Sequence, residues 1–252
     1  MIESLGEVTD DALLGGRVRL LQAARGHRAG TDGVLLAAAA PAREGDRVID
    51  VGAGTGAVGL MIASRVPVSL TLVERDPALA ELCRRNAALN GVEVAVACAD
   101  VLDTASRRRA GIMAEAANLV VTNPPFLEES GVRGSPDAAR AAAHLLPQGG
   151  LESWLRACAS LLKPGGSLAL IHRAERVGEC LKHLGRGFGR CRLRFVHPRA
   201  DRPATRVLIT AVKGSRAPLS IAPPVVLHDE GGRFTPLGEA LHRGTAVLAG
   251  EP

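Results

Sequence analysis

Aromatic side chains are scarce in this chain: four Phe, one Trp and no Tyr among 252 residues. That argues against an aromatic-rich sandwich core and makes the position of each ring informative. Long apolar runs are missing as well. None approaches the roughly 20 residues needed to span a bilayer. The opening MIESLGEVTDD is acidic and lacks an apolar centre, so it does not read as a secretory leader. Five cysteines, at 83, 98, 158, 180 and 191, are scattered, odd in number and without a C-x-x-C pair. This pattern excludes a disulfide framework and cysteine-based zinc spacing; reduced core thiols in a cytoplasmic protein are expected. There is no internal repeat, no low-complexity tail and no convincing linker.

What is present is apolar mass in Ala, Val and Leu, within a 46% hydrophobic composition. That suits helices packed on a parallel sheet. The net charge of +5 fits a polyanionic partner, or equally an arginine-rich coding bias.

Periodicity along the chain alternates strand and helix. Residues 1–30 read as a hairpin or irregular lead-in. Thr31 and Asp32 precede VLLAAAA, a helix start with a capping residue, and Pro41 and Gly45 end it. RVIDVG (47–52) reads as a buried strand, GAGTGAVG (52–59) as a glycine turn opening a helix, and VSLTLVE (68–74) as a second strand. Pro77 starts the next helix and Asn90-Gly91 stops it. VEVAVACAD (92–100) and NLVVT (118–122) are the third and fourth strands. LESWLRACASLL is an amphipathic helix stopped by KPGG (163–166); SLALIH (167–172) is the fifth strand. A helix over about 174–185 is followed by RCRLRFVH (190–197) and TRVLITAVK (205–213), an antiparallel pair at a sheet edge. The remainder carries a turn, HDEGGR, and a short final helix. Alternation of this kind predicts right-handed crossovers and a doubly wound sheet.

Four strand ends carry chemistry. DVGAGTG follows the first strand, where Gly52, Gly54 and Gly56 let the backbone approach a ligand and leave helix N–H groups free. Asp50, Ala53 and Thr55 lie in the same turn. The turn also fits G-x-G-x-x-A, so a nicotinamide dinucleotide and an adenosyl cofactor are both open at this point. Glu74, followed by Arg75, ends the second strand, placed to accept hydrogen bonds from ribose hydroxyls. Asp100 ends the third, where it can accept from an adenine amino group while Val101 packs on the ring. It can equally cap a helix. The fourth strand opens into Asn123, Pro124, Pro125 and Phe126, a motif for which a dinucleotide dehydrogenase has no evident use. The prolines fix the chain direction and offer carbonyls without competing N–H groups. With the Asn123 amide oxygen and the Phe126 face, the set suits a planar ring bearing an exocyclic amine. Its two N–H bonds meet two acceptors, which draw the nitrogen toward a tetrahedral, nucleophilic geometry. A plain turn with prolines is the alternative.

Together DVGAGTG, Glu74, Asp100 and NPPF resemble the class I S-adenosylmethionine-dependent methyltransferases that modify amino groups. AGTDGVLLAAAAP (29–41) is similar to the segment preceding the cofactor motif in the bacterial tRNA(Val) adenine-N6-methyltransferase family. The Arg140 to His144 region, KPGG, the Arg-Val-Leu strand and HDEGGRFT add to the likeness, which spans about residues 20–240. The resemblance implies a Rossmann-like class I fold: a seven-stranded, mostly parallel sheet with helices on both faces and an antiparallel edge strand. It implies one methyltransferase domain over 1–252, with a lead-in and cofactor-closing helix (1–45), a core (46–213) and a C-terminal flap (214–252). It implies S-adenosylmethionine as cofactor, held by Thr31, Asp32, Asp50, Gly52, Ala53, Gly54, Thr55, Gly56, Glu74, Arg75, Asp100, Val101 and Asn123. Asn123, Pro124, Pro125 and Phe126 would hold the target adenine of a tRNA. Relatives with this motif act on ribosomal RNA or on a protein glutamine, and a small molecule is a further alternative. Phe126 stands where many members have Tyr; stacking survives and a hydroxyl is lost.

Eight basic residues within 182–206 (Lys182, Arg186, Arg190, Arg192, Arg194, Arg199, Arg202, Arg206) face one acid, Asp201. They form a candidate tRNA-contacting face or, alternatively, a solvated helix and hairpin. Arg107-Arg108-Arg109 is a second basic run, and the loop 127–150 is placed to order over a splayed base. His27, Arg28 and His144 are read as structural or RNA-contacting. A monomer and a homodimer both remain open.

Overall fold

The computed structural model describes residues 7–24, 28–125 and 150–249. An N-terminal hairpin, β1 (Val8–Leu13) and β2 (Val18–Ala23), precedes helix α1 (Thr31–Ala39). There follow β3 (Arg47–Val51), α2 (Ala57–Ala63), β4 (Ser69–Glu74), α3 (Pro77–Leu89), β5 (Val94–Cys98), α4 (Thr104–Arg109) and β6 (Ala117–Thr122). The second half runs α5 (Gly150–Leu161), β7 (Leu162–Arg173), α6 (Val177–Leu184), β8 (Phe188–Arg199), β9 (Arg206–Lys213), β10 (Ser220–Ile221), β11 (Val225–His228) and α7 (Pro236–His242).

The sheet order is β10-β8-β9-β7-β6-β3-β4-β5, with β11 also paired to β8. Chain order therefore reverses at β3, which lies between β4 and β6. The expected seven strands are present, extended by the two short strands β10 and β11. The antiparallel member is β9, held between β7 and β8. It thus sits inside the sheet, and β8 runs parallel to the central strands.

β3 and β6 form where the sequence is β-branched, and they are buried almost throughout because helices cover both faces. One face packs α1, α2 and the C-terminal α7 around Leu35, Leu36, Leu60 and Leu241. The other packs α5 and α6 around Trp154, Leu155, Leu161 and Leu184. The Asp76 side chain accepts from the Ala78 and Leu79 N–H groups and caps α3, with Pro77 at its first position. KPGG does not simply precede a strand. It lies within β7 and shifts the register, so that Ala117 pairs with Leu162 but Leu119 with Ser167. Thr31 is the first residue of α1 and Gly30 its cap position, so the Thr31 hydroxyl is not a helix cap. The segment after α7 packs on α1: the Leu248 N–H donates to the Ala38 carbonyl at 2.8 Å.

Four of the cysteines are buried; Cys98, at the end of β5, is exposed, against the expectation of five core thiols. Burial pushes the Cys158 thiol up to about 12 and Cys180 to about 11. No helix among the described residues is long and apolar enough to cross a membrane.

Candidate active site

The strand ends gather at the C-terminal edge of the sheet, where the order reverses at β3. Ligands of open α/β sheets bind at such a reversal. The chain leaves β3 through Gly52 and Gly54 at φ +72° and +58°, a region that L side chains rarely enter. A Cβ on Gly54 would meet no atom within 4 Å, so this turn has backbone open to an incoming group.

Glu74, at the end of β4, braces the turn. One carboxylate oxygen accepts from the Gly54 N–H and the other from the Asp76 N–H, each at 2.9 Å. A carboxylate has about four acceptor positions, so capacity remains for hydroxyl donors. Burial raises the Glu74 pKa, and the two backbone donors oppose that. Asp50 lies beneath the turn and is 2% exposed. It accepts from the Gly59 N–H at 2.9 Å, and burial pushes its carboxyl up to about 7. Asp50 therefore supports the first turn of α2 rather than offering its carboxylate to a ligand.

Two asparagines tie the hairpin to this site: Asn86, which sequence reading did not single out, and Asn90, which it read only as part of a helix stop. Fully buried Asn86 donates to the Thr55 and Leu21 carbonyls and accepts from the Leu21 N–H. One turn later, Asn90 makes the same amide pairing with Arg19. Their i, i+4 spacing in RRNAALN was the available signal, since it puts both on one helix face. Arg28, paired with Asp11 and donating to the Ala23 carbonyl, belongs to the same bracing.

At the end of β5, one Asp100 oxygen accepts from the Leu102 N–H at 2.8 Å, and Val101 is buried. Asp103, not Asp100, caps α4. Arg75 is exposed at the β4 edge.

At the end of β6, Asn123 is half-buried, Pro124 buried and Pro125 half-buried. The Asn123 amide oxygen is buried and has no hydrogen-bond partner among the described residues. A buried acceptor left in this state costs about 1–3 kcal/mol, which the fold tolerates where a ligand is to supply the donor. Phe126, Arg140, His144 and His27 lie outside the described residues, as does all of the loop 127–150 except Gly150.

Thr31 and Asp32 stand at the same edge, but their side chains turn to the C-terminal half. Thr31 Oγ1 lies 3.2 Å from His242 Nε2, and Asp32 pairs with Arg206 at 2.9 Å. Because His242 Nδ1 faces the Gly238 carbonyl at 2.8 Å, Nδ1 carries the proton of a neutral ring. Nε2 is then the acceptor and the Thr31 hydroxyl donates.

The basic stretch 182–206 does not form one face. Leu193 of β8 points into the α5–α6 layer, so Arg192 and Arg194 project on the opposite side, whereas Lys182 rides on α6. Arg194 is moreover committed to the Pro223 and Leu248 carbonyls, and Arg199 and Arg202 both flank Asp201. In the second run, Arg107 bonds Ser160 and Thr104, and Arg109 pairs with Asp103.

The methyltransferase small domain model matches residues 28–196, and the fold is that of the class I methyltransferases. Among curated proteins, the tRNA1(Val) (adenine(37)-N6)-methyltransferase of Dickeya chrysanthemi is 30% identical over 228 residues, 86% of each chain. The enzyme of that name from Porphyromonas gingivalis is 36% identical over 157 residues, 60% of this chain and 60% of that protein. The chain belongs to this tRNA1(Val) adenine-N6-methyltransferase family. A solved structure from Agrobacterium tumefaciens, described as a predicted O-methyltransferase, superposes with a TM-score of 0.72 at 33% identity. It covers 88% of this chain and 100% of that one.

Proposed function

We propose that this protein transfers a methyl group to the exocyclic N6 amine of an adenine in tRNA. The observation that carries the reading is the buried Asn123 amide oxygen, without a partner among the described residues, at the end of β6, the strand beside the glycine turn.

The residues present fit S-adenosylmethionine. The uncrowded backbone at Gly54, the remaining acceptor capacity of Glu74 and the second Asp100 oxygen supply an approach surface and acceptors. When bound, the cofactor supplies an electrophilic methyl and retains the electron pair of the broken carbon–sulfur bond. The Gly52–Gly56 turn would lie against it, Glu74 would accept from its ribose, and Asp100 with Val101 would take its adenine. Asn123 accepts one N–H of the target amine through its orphaned oxygen, and the Pro124 carbonyl takes the other. Holding both N–H bonds directs the nitrogen lone pair toward the methyl, so positioning supplies most of the rate, and the methylated, cationic nitrogen then releases one proton to water.

A neutral amide takes an N–H bond but cannot remove a proton, which favours an amine over a hydroxyl acceptor. The net charge of +5 and the tRNA substrate in the names of the curated relatives support an RNA substrate.

The test is methyl transfer by the purified protein to unmodified valine tRNA, read as N6-methyladenosine after digestion to nucleosides. A product peak is expected. Cofactor binding without any such peak would overturn the tRNA assignment and move the search to ribosomal RNA, a protein glutamine or a small amine.

A further inference from the structure

Trp154 is the single tryptophan of the chain and lies on α5, 8% exposed. Its indole Nε1 donates to Thr122 Oγ1 at 2.9 Å, and Thr122 Oγ1 donates to the Val51 carbonyl at 2.9 Å. The direction of this chain is fixed, because an indole N–H can only donate. Thr122 must accept from Trp154 and give its own proton to Val51. Thr122 and Val51 are themselves fully buried.

The neighbours of these two residues are the point. Thr122 is followed directly by Asn123, and Val51 by Gly52. The same indole also covers the glycine turn: a Cβ on Gly52 would lie 3.0 Å from its Cζ2 and 3.1 Å from its Cη2. One side chain thus touches the start of the cofactor turn and the residue before the acceptor amide. β3 and β6 pair in parallel at Val51 and Thr122, but their ladder ends there. Beyond it neither strand continues, and the Trp154 indole spans both exits, lying against Gly52 and bonded to Thr122, whose hydroxyl in turn holds Val51.

We infer that Trp154 is a positioning residue. It holds the Asn123 amide in register with the glycine turn, and so sets the alignment of amine and methyl without touching either. This inference rests on the methyltransferase reading above. A displacement of about 1 Å between reacting groups lowers a rate by about 100-fold.

The experiment uses the full chain and two variants. Trp154→Phe keeps a ring and removes the N–H; Thr122→Val keeps the indole and removes the hydroxyl. Each is expected to lower kcat by about 10- to 100-fold with the Kd of S-adenosylhomocysteine changed less than about threefold. The double variant is expected to be no slower than the worse single one, because both break one link. A residue serving stability alone would lower Tm and leave kcat intact. Folded variants that keep kcat within about twofold of the parent, or losses that multiply in the double variant, overturn the inference.

A second readout is independent of transfer. With no tyrosine present, intrinsic emission reports on Trp154. Titration of the parent with S-adenosylhomocysteine is expected to change that emission saturably. Unchanged emission with calorimetric binding intact overturns the inference. A parent that binds but methylates no adenine sinks the tRNA reading instead, and the emission titration then decides the role of Trp154.

Discussion

The sharpest separation of fold from function lies two residues apart in the glycine turn, in the pair Gly52→Ala and Gly54→Ala. Both positions are left-handed, so an alanine at either costs about 1–2 kcal/mol. Space distinguishes them. The new methyl of Gly52→Ala would press on the Trp154 ring at 3.0 Å, tighter than ordinary contact, and the ring is held by its bond to Thr122. Overpacking of this kind adds about 1–3 kcal/mol. At Gly54 nothing lies within 4 Å. Gly52→Ala is therefore expected to be less stable than Gly54→Ala by about 1–3 kcal/mol, or roughly 2–12 °C in Tm for a chain of this size. Cofactor affinity should show a separate loss at Gly54. There the methyl fills the approach surface, and a drop of tenfold or more, about 1.4 kcal/mol, is expected by calorimetry. Equal Tm values would show that the indole yields freely. Gly54→Ala binding within twofold of the parent would mean that the open backbone there is not the cofactor cradle.

Other consequences are open to direct measurement. Asn123→Ala should lower transfer by about 100-fold or more while leaving cofactor affinity within a few-fold; lost cofactor binding would show that the residue is misplaced here. Asp50→Asn should remove a pH dependence. Burial raises the Asp50 carboxyl to about 7, so the folded state keeps a proton that the unfolded chain has released. The group's contribution is present at low pH and is lost as pH rises through about 7, so the parent should lose stability relative to the variant between about pH 4 and about pH 7. Parallel urea midpoints across that window would contradict the assignment. Asn86→Ala leaves the Leu21 N–H, the Leu21 carbonyl and the Thr55 carbonyl without their buried partner. A loss of about 2–4 kcal/mol and faster hydrogen exchange at Leu21 are expected; an unchanged exchange rate would mean that the hairpin is held elsewhere.

Sequence alone determined the strands and the turns between them. Local periodicity sets those: β-branched runs bounded by glycine, proline and capping aspartates specify β3 to β6 and the loops after them, and the same loops carry Gly52–Gly56, Glu74, Asp100 and NPPF. Local pattern cannot say what a side chain meets across the fold. Asp50 was legible as part of the glycine turn, but only the packed structure puts it under α2 with a raised carboxyl. The arginines of 182–206 are a cluster in sequence. In space, strand alternation and the intervening sheet divide them, and Arg194 is spent on tail carbonyls. Thr31 read as a cap and instead meets His242 from the far end of the chain. Trp154 showed itself only as a rare residue. Its bonds to Thr122 and its contact with Gly52 arise because α5, some 30 residues beyond β6, folds back over the strand ends. The chemistry of the site is thus written in short segments, whereas its alignment depends on long-range contacts that hydrophobic burial on two faces of one sheet brings together.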